Sequence, residues 1–175
     1  MQADIIKHGI DSDNTEKNLS RISELSVKAI GTMRDIVWSI DSRNDDFKNI
    51  IVKMKDEAYG ILGAKNISVQ FEHSSLNLDL KLSFEMRENL YFIFKESINN
   101  IYKHSNASQV NVKLSLENGF LKMEIWDNGN SCIMKNEHSG QGTKNMKMRV
   151  ERIGGKFSKE VENGYKVTFS GIKIK

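Results

Sequence analysis

The positions Leu19, Ile22, Ser26, Ala29, Met33, Ile36 and Ile40 repeat at intervals of three and four without a break. That spacing draws one narrow stripe of apolar or small residues along a helix, which is the seam of a coiled coil rather than the broad face of a helix lying on a globular core. Leu25 and Val37 widen the stripe. A widened seam calls for partners on more than one side, as in a four-helix bundle assembled from two helical hairpins, although packing on the chain's own domain would satisfy the same residues. The bundle reading predicts a homodimer joined through this stem. The polar run Asp41-Ser42-Arg43-Asn44-Asp45-Asp46 then ends the helix and is placed to cap a second one over about Phe47 to Leu62, with Ile50, Ile51, Met54 and Ala58 turned inward. A hinge here divides the chain into a helical stem, residues 1–44, and a domain, residues 45–175.

Beyond Gly63 the period changes. Ile67 to Glu72 alternates apolar and polar, the pattern of a strand buried on one face. A helix follows over about Ser83 to Tyr102. Val110, Val112, Leu114 and Leu116 alternate next, Asn118-Gly119 makes a turn, and Leu121, Met123 and Ile125 alternate again, which predicts a hairpin. Thr143 to Ile153 reads as a helix ended by Gly154-Gly155, and two strands, about Lys156 to Glu162 and Tyr165 to Lys175, close the chain across Asn163-Gly164. With no proline in the sequence, Gly, Asn, Asp and Ser must make every turn. Strands and helices in this order predict an α/β two-layer sandwich, a mixed sheet with helices on one face.

Composition narrows the function classes. At 175 residues and 38% hydrophobic content the chain can bury one core and carry a short appendage. Its net charge of +3 comes without a basic block, so nucleic acid is not an expected partner. Cys132 is the only cysteine, which excludes an intrachain disulfide and fits a reducing, cytoplasmic setting. No apolar run reaches the roughly 20 residues that span a bilayer, and Met1 to Ile10 lacks the layout of a signal peptide, so no membrane contact is expected of this piece.

Three elements carry chemistry. In the third expected helix, Glu96, Asn100, Lys103 and His104 fall at i, i+4, i+7 and i+8 and share one face, while Leu90, Phe94, Ile98 and Ile101 form the core stripe. Oxygen ligands such as Asn and Glu suit Mg²⁺, and an ammonium neutralises phosphate; such a face is also often merely solvated. Asp127 has the parity of Leu121, Met123 and Ile125, so its carboxylate should point into the apolar layer at the strand end. The exocyclic amine of adenine is a donor that suits it, and Gly129 would let backbone approach the ring, though Asp-Asn-Gly also makes an ordinary turn. Gly140-Gln141-Gly142 opens the helix at Thr143, where free amides and the dipole's positive end favour phosphate.

In order and spacing these elements resemble the GHKL ATPase superfamily. Glu96-Ser97-Ile98-Asn99-Asn100-Ile101-Tyr102-Lys103-His104 looks like its N-box, Asp127-Asn128-Gly129 its G1 box, and Gly140-Gln141-Gly142-Thr143-Lys144-Asn145-Met146 its G2 box. The Lys-His ending followed by Ser-Asn-Ala-Ser is similar to sensor histidine kinases of the nitrate-sensor type, and Met33 to Ile40 looks like the end of their second stem helix. The resemblance covers about Phe47 to Lys175. It implies a Bergerat-type α/β sandwich that binds Mg-ATP and passes the γ-phosphate to a stem histidine, and then to the receiver domain of a response regulator. By the same resemblance Asn100 is the Mg²⁺ ligand, with Glu96 its catalytic neighbour, water-bridging or proton-accepting. Lys103 and His104 contact phosphate or ribose, Asp127 accepts from adenine, and Gly129 floors the base. Gly140, Gln141, Gly142 and Thr143 form the phosphate loop, and Ser131 to Ser139 a short nucleotide lid.

Two positions depart from the family pattern: Ser131 stands where a second G1 glycine is usual, and Gly164-Tyr165 where a Gly-Thr pair is usual. His8 is followed by Gly9 rather than by the acidic residue that flanks the family's phosphoacceptor, so the acceptor is expected outside this chain, in a longer sensor kinase. His73 and His138 fit no motif and are expected in exposed loops, and Trp38 as a stem-packing aromatic. Two rival readings remain open: a degenerate nucleotide domain that only binds a partner, and an anti-sigma-type serine kinase, against which the stem seam argues.

Overall fold

The computed structural model describes residues 12–73, 76–129, 140–161 and 164–174, which fall into two compact units divided between Asp41 and Ser42. The first is helix α1, Ser12–Ile40, which runs through the whole seam. Leu19, Leu25, Met33, Val37 and Ile40 are each more than half exposed, while Ser26 turns its hydroxyl back on the Ile22 carbonyl at 2.8 Å. Among the described residues no helix is long and apolar enough to cross a membrane.

The second unit opens with a single 3-10 turn, Ser42–Asn44, and helix α2, Phe47–Gly63. Asp46 takes the N-cap position with extended backbone, but its side chain makes no capping bond. Backbone takes over that role: the amides of Phe47 and Lys48 donate to the carbonyls of Leu80 and Leu78 at 2.8 and 3.0 Å. The polar run therefore ends α1 as expected without supplying a side-chain cap to α2.

Strand β1, Ser68–Glu72, leads to helix α3, Phe84–His104, whose N-cap Ser83 accepts from the Met86 amide at 3.2 Å. Strands β2, Gln109–Glu117, and β3, Phe120–Asp127, form the expected hairpin. Asn118 and Gly119 both have positive φ, 54° and 81°, as the tight two-residue turn whose twist matches a hairpin requires. Helix α4, Gln141–Arg152, starts two residues ahead of Thr143, and β4, Lys156–Glu160, and β5, Lys166–Lys173, complete the unit.

The sheet order is β1-β2-β3-β5-β4, with β1 parallel to β2 and every other pair antiparallel. Val110, Val112, Leu114, Leu121, Met123, Ile125, Val167 and Phe169 are all buried on one face, together with Ile50 and Met54 of α2, Leu90, Phe94 and Ile98 of α3, and Met146 and Val150 of α4. The other face is polar: Glu124 pairs with Lys122 at 3.0 Å and Lys166 at 3.2 Å. In β5 the pairing shifts from Met123 with Phe169 to Leu121 with Ile172, so one extra residue bulges out near Gly171. The bulge lets both Phe169 and Ile172 turn inward although their spacing breaks the two-residue period. This is the Bergerat-type two-layer sandwich that the sequence implied.

One buried charge ties the start of the domain to α3. Arg87 is 1% exposed; its guanidinium bonds the Asp45 carboxylate and donates to the Leu82 carbonyl at 3.0 Å. Arg87→Met keeps most of the volume but leaves Asp45 without its cation. Urea unfolding should then show a loss of about 2–4 kcal/mol, reduced from the cost of a fully buried pair because Asp45 keeps some contact with water. A loss under about 1 kcal/mol would mean that water replaces the guanidinium.

Candidate functional site

Strand β3 ends at Asp127, which alternation turns to the helical side, and only 3% of its surface is exposed. One carboxylate oxygen is fully engaged: Oδ1 accepts from the Ser105 hydroxyl at 2.8 Å and the Gly129 amide at 2.7 Å. Ser105 is itself fixed, because its Oγ accepts from the Ala107 amide at 3.0 Å. The second oxygen, Oδ2, is equally buried and has no partner among the described residues. A buried acceptor without a donor costs on the order of 1–3 kcal/mol, a cost that any donor reaching Oδ2 would relieve. Next door, Asn128 clamps the strand end to the loop after α3: its Oδ1 accepts from the amides of Ser108 and Gln109, both at 3.0 Å.

Helix α3 carries Glu96, Asn100, Lys103 and His104. The first two are half-buried. Lys103 and His104 stand exposed in the last turn and make no hydrogen bond or ion pair among the described residues. Gly142 meets Glu96 so closely that a Cβ there would lie 1.9 Å from Oε1. The first turn of α4 therefore abuts the α3 face, and the Ser97 hydroxyl, 3.3 Å from the Met146 sulfur, joins the two helices one layer deeper. Gly140 is the N-cap of α4 and no side chain caps this end. The amides of Thr143 and Lys144 return to the Gly140 carbonyl at 3.0 and 3.4 Å, whereas the Gln141 side chain donates to Asn145 at 3.1 Å, one turn further along the same helix.

Sequence reasoning gave Ser105 and Tyr165 no role. Ser105 lies in the Ser-Asn-Ala-Ser run after the N-box, a signal visible only as a resemblance. Tyr165, counted as a departure in the pocket lining, is 3% exposed and sits directly across from Asp127, whose amide donates to the Tyr165 carbonyl at 3.1 Å. Gly164 makes this approach possible. Its φ is +103°, and a Cβ there would lie 2.2 Å from the Asp127 carbonyl oxygen. The Tyr165 phenol is pushed up to about 12, mainly by burial; the Asn100 carboxamide opposes that, and the Glu96 and Asp127 charges reinforce it. The phenol and the carboxamide do not meet at hydrogen-bonding geometry, and the hydroxyl has no partner among the described residues. A 540 Å³ cavity beside these groups is lined by Asp127, Gly164, Tyr165, Trp126, Lys159 and Lys166 among others, and not by Glu96, Asn100 or α4.

His73 is half-buried rather than exposed: its Nε2 lies 3.2 Å from the Lys55 ammonium and its ring packs edge-on against Phe71 at 6.3 Å. The expected lid, Ser131 to Ser139, lies outside the described residues, as do Cys132, His138 and His8.

An α/β sandwich with an acidic strand end, an Asn- and Glu-bearing helix face and a glycine-opened helix start has the architecture of histidine kinase catalytic domains. The solved histidine kinase AdeS of Acinetobacter baumannii matches 99% of this chain and 91% of its own at a TM-score of 0.66 with 13% identity. ShkA, solved full-length in complex with AMPPNP, matches over 71% of this chain and 29% of its own at a TM-score of 0.57 and 16% identity. Among curated proteins, the sensor histidine kinase LiaS of Bacillus subtilis is 25% identical over 160 residues, 89% of this chain and 42% of LiaS. No family model matches the chain. The chain is thus a relative of the sensor histidine kinases, and it spans less than half the length of the curated relatives it matches.

Two glycines of the site should respond differently to alanine. At Gly129 the new Cβ would meet Ser105 Oγ at 2.4 Å, Asp127 Oδ1 at 2.8 Å and the Ala107 backbone nitrogen at 2.9 Å. None of these can move cheaply, so Gly129→Ala should cost about 1–3 kcal/mol in thermal or urea unfolding. At Gly142 the obstacle is the end of the flexible Glu96 side chain. Gly142→Ala should leave stability within about 0.5 kcal/mol while displacing that carboxylate. Equal losses in the two variants would contradict the packing described for Glu96.

Proposed function

We propose that the domain binds Mg-ATP as substrate and presents the terminal phosphoryl group to an acceptor histidine on a helical stem, working in the cytoplasm with a response-regulator receiver domain as the onward acceptor. The observation that carries this reading is the half-partnered Asp127. Its buried, acceptor-only Oδ2 favours the exocyclic amine of adenine and disfavours a guanine carbonyl, which would set acceptor against acceptor. ShkA, which shares the fold, was solved in complex with AMPPNP, and this supports an adenine nucleotide as the ligand.

The other residues fit a triphosphate. The uncapped N-terminus of α4 at Gly140, Gln141 and Gly142 offers amides and the positive dipole end to phosphate oxygens, and Thr143, whose amide is engaged with Gly140, is assigned to contact them through its hydroxyl. Asn100 and Glu96 are assigned to hold Mg²⁺, which when bound supplies charge neutralisation along the triphosphate. Glu96, against the start of α4, is also assigned the proton released as the imidazole attacks. Lys103 and His104 are free to reach phosphate or ribose. Gly129 forms the floor beneath the base. The exposed seam of α1 supports pairing with a second copy of the chain.

Calorimetric titration should show Mg-ATP binding with GTP weaker by on the order of 10²-fold. Asp127→Asn should weaken ATP while leaving the fold intact, and Asn100→Ala should abolish the Mg²⁺ dependence while sparing a weaker contact with the base. Equal affinities for the two nucleotides would sink the Asp127 assignment, and a folded chain that takes up neither would favour a degenerate binding module.

A second outcome concerns transfer itself. His8 has no acidic neighbour to take its proton, so incubation with radiolabelled ATP should leave this chain unlabelled. A stem helix pair carrying a histidine followed by an acidic residue should be labelled in trans, with the acid lability of phosphohistidine. Acid-labile label on this chain alone, lost in His8→Ala, would overturn the reading of His8.

A further inference from the structure

The elements that bring one end to the proposed nucleotide site carry their opposite ends to a second cavity. Helix α3 contributes its start rather than the face of Glu96 and Asn100, α4 its last residue, Arg152, rather than Gly140, and β5 its end at Lys173 rather than the end beside Tyr165. Along α3 alone, Ser83 and Glu96 stand about 20 Å apart at 1.5 Å per residue. The cavity holds about 350 Å³, within the range of small-molecule sites.

Its lining divides into an apolar floor and a basic rim. Leu82, Met86, Ile153 and Ile174 make the floor; Leu82 is buried and the others are half-buried. Backbone bonds hold this floor in place. The Leu82 amide donates to the Asp45 carbonyl at 2.8 Å, its carbonyl accepts from the buried Arg87 guanidinium at 3.0 Å, and the Ile174 amide donates to the Gly119 carbonyl at 3.2 Å. Lys81, Arg152 and Lys173 form the rim from three separate stretches of chain, and all three are exposed. None of their side chains makes a hydrogen bond or ion pair among the described residues, and Glu85 is the one carboxylate in the lining. The helix start adds little to the attraction, because the Ser83 hydroxyl already caps the Met86 amide at 3.2 Å and Glu85 stands in the first turn. What the site concentrates is cationic side-chain charge beside a fixed apolar surface.

Cations gathered on one rim repel one another, and an anion set among them relieves that repulsion while it accepts charge-assisted hydrogen bonds. A bare anion leaves the floor in water, and a neutral apolar molecule leaves the charges unmatched. A ligand with both parts gains from each. We propose that this cavity binds a small amphipathic anion, a carboxylate or phosphate monoester on a short alkyl chain, with its head among Lys81, Arg152 and Lys173 and its chain on the floor from Leu82 to Ile174. The site lies at the far end of the domain from Asp127 and does not depend on nucleotide binding.

The test is calorimetric titration of the whole chain with octanoate and octyl phosphate, below their micelle concentrations, beside two partial probes: acetate, which has only the head, and 1-octanol, which has only the chain. At least one of the amphipathic anions should bind saturably at a single site, about tenfold or more tightly than either partial probe. Arg152→Glu and Lys173→Glu should each weaken that binding about fivefold or more, since reversal replaces an attraction by a repulsion. Both side chains are exposed and unpaired among the described residues, so the variants should melt with wild type. Lys113→Glu, on β2 and outside the cavity, should leave the Kd unchanged, and excess Mg-ATP should not displace the anion. No saturable binding of either amphipathic anion, or acetate or octanol binding as tightly, would overturn the proposal. So would rim variants that bind like wild type, a Lys113→Glu variant weakened as much as they are, or displacement by Mg-ATP.

Discussion

A carboxylate buried at the end of a strand has to be held by donors from elsewhere, and in this domain that requirement organises the local chain. Oδ1 of Asp127 takes its two donors from different connections, Ser105 after α3 and Gly129 after β3. Those donors arrive only because several other features cooperate. The Asn118-Gly119 turn sets the hairpin register that ends β3 with Asp127 inward, opposite Val110. Asn128 bolts the strand end to Ser108 and Gln109, which fixes the loop that carries Ser105. Gly164 then allows the β5 backbone to close on the same spot. Each of these residues is small or amide-bearing because the space beside a buried carboxylate is shared by backbone from three directions.

Helix α3 supplies the rest of the site, and its burial explains why it can hold side chains there in fixed positions. Besides its apolar stripe it buries Arg87, Asn89 and Ser97, and each is bonded. Asn89 donates to the Glu85 carbonyl at 2.7 Å and accepts from Arg149 of α4 at 3.2 Å, while Ser97 bonds the Ile93 carbonyl at 2.8 Å. Polar pairs of this kind have one satisfactory geometry, so a slide or rotation of α3 against α4 would leave buried groups unmatched. The faces bearing Glu96 and Gly142 are thereby held in register. The same interlock explains why a glycine faces Glu96: two helices this close leave no room for a side chain on both sides.

Much of this was legible in the sequence because it rests on period and local chemistry. The alternation from Val110 to Ile125 marked the hairpin and the inward turn of Asp127, and Gly140-Gln141-Gly142 marked a helix start, missed by two residues because Gln141 and Gly142 already lie inside the helix behind the N-cap Gly140. What was not legible depends on contacts between distant segments. Nothing local to Ser105 says that its hydroxyl meets Asp127, 22 residues on. Asp46 carries a good capping residue type in the capping position, yet carbonyls from Leu78 and Leu80 reach the helix start first. The bulge in β5 broke the alternation of Phe169 and Ile172, which the sequence displayed without indicating that both were core positions. Tyr165 could be read only as a departure from a family pattern, since its meaning lies in the residues across the sheet.

The two helix ends at the site also differ in sign, and that difference separates the side chains that prefer an anion from those that merely stand near it. Lys103 and His104 occupy the last turn of α3, where the Lys103 ammonium offsets the partial negative charge of unpaired carbonyls. Part of its electrostatic effect is therefore already engaged by the helix that bears it, whatever binds nearby. The start of α4 is the reverse: it presents partial positive charge, no side chain caps it, and no acidic residue lies in its first turn to neutralise it. The Glu96 carboxylate abuts that end at Gly142, and it belongs to a different helix. A phosphate bound as proposed would thus find its strongest uncompensated attraction at Gly140 to Gly142, with the exposed Lys103 adding a weaker, solvent-screened contribution.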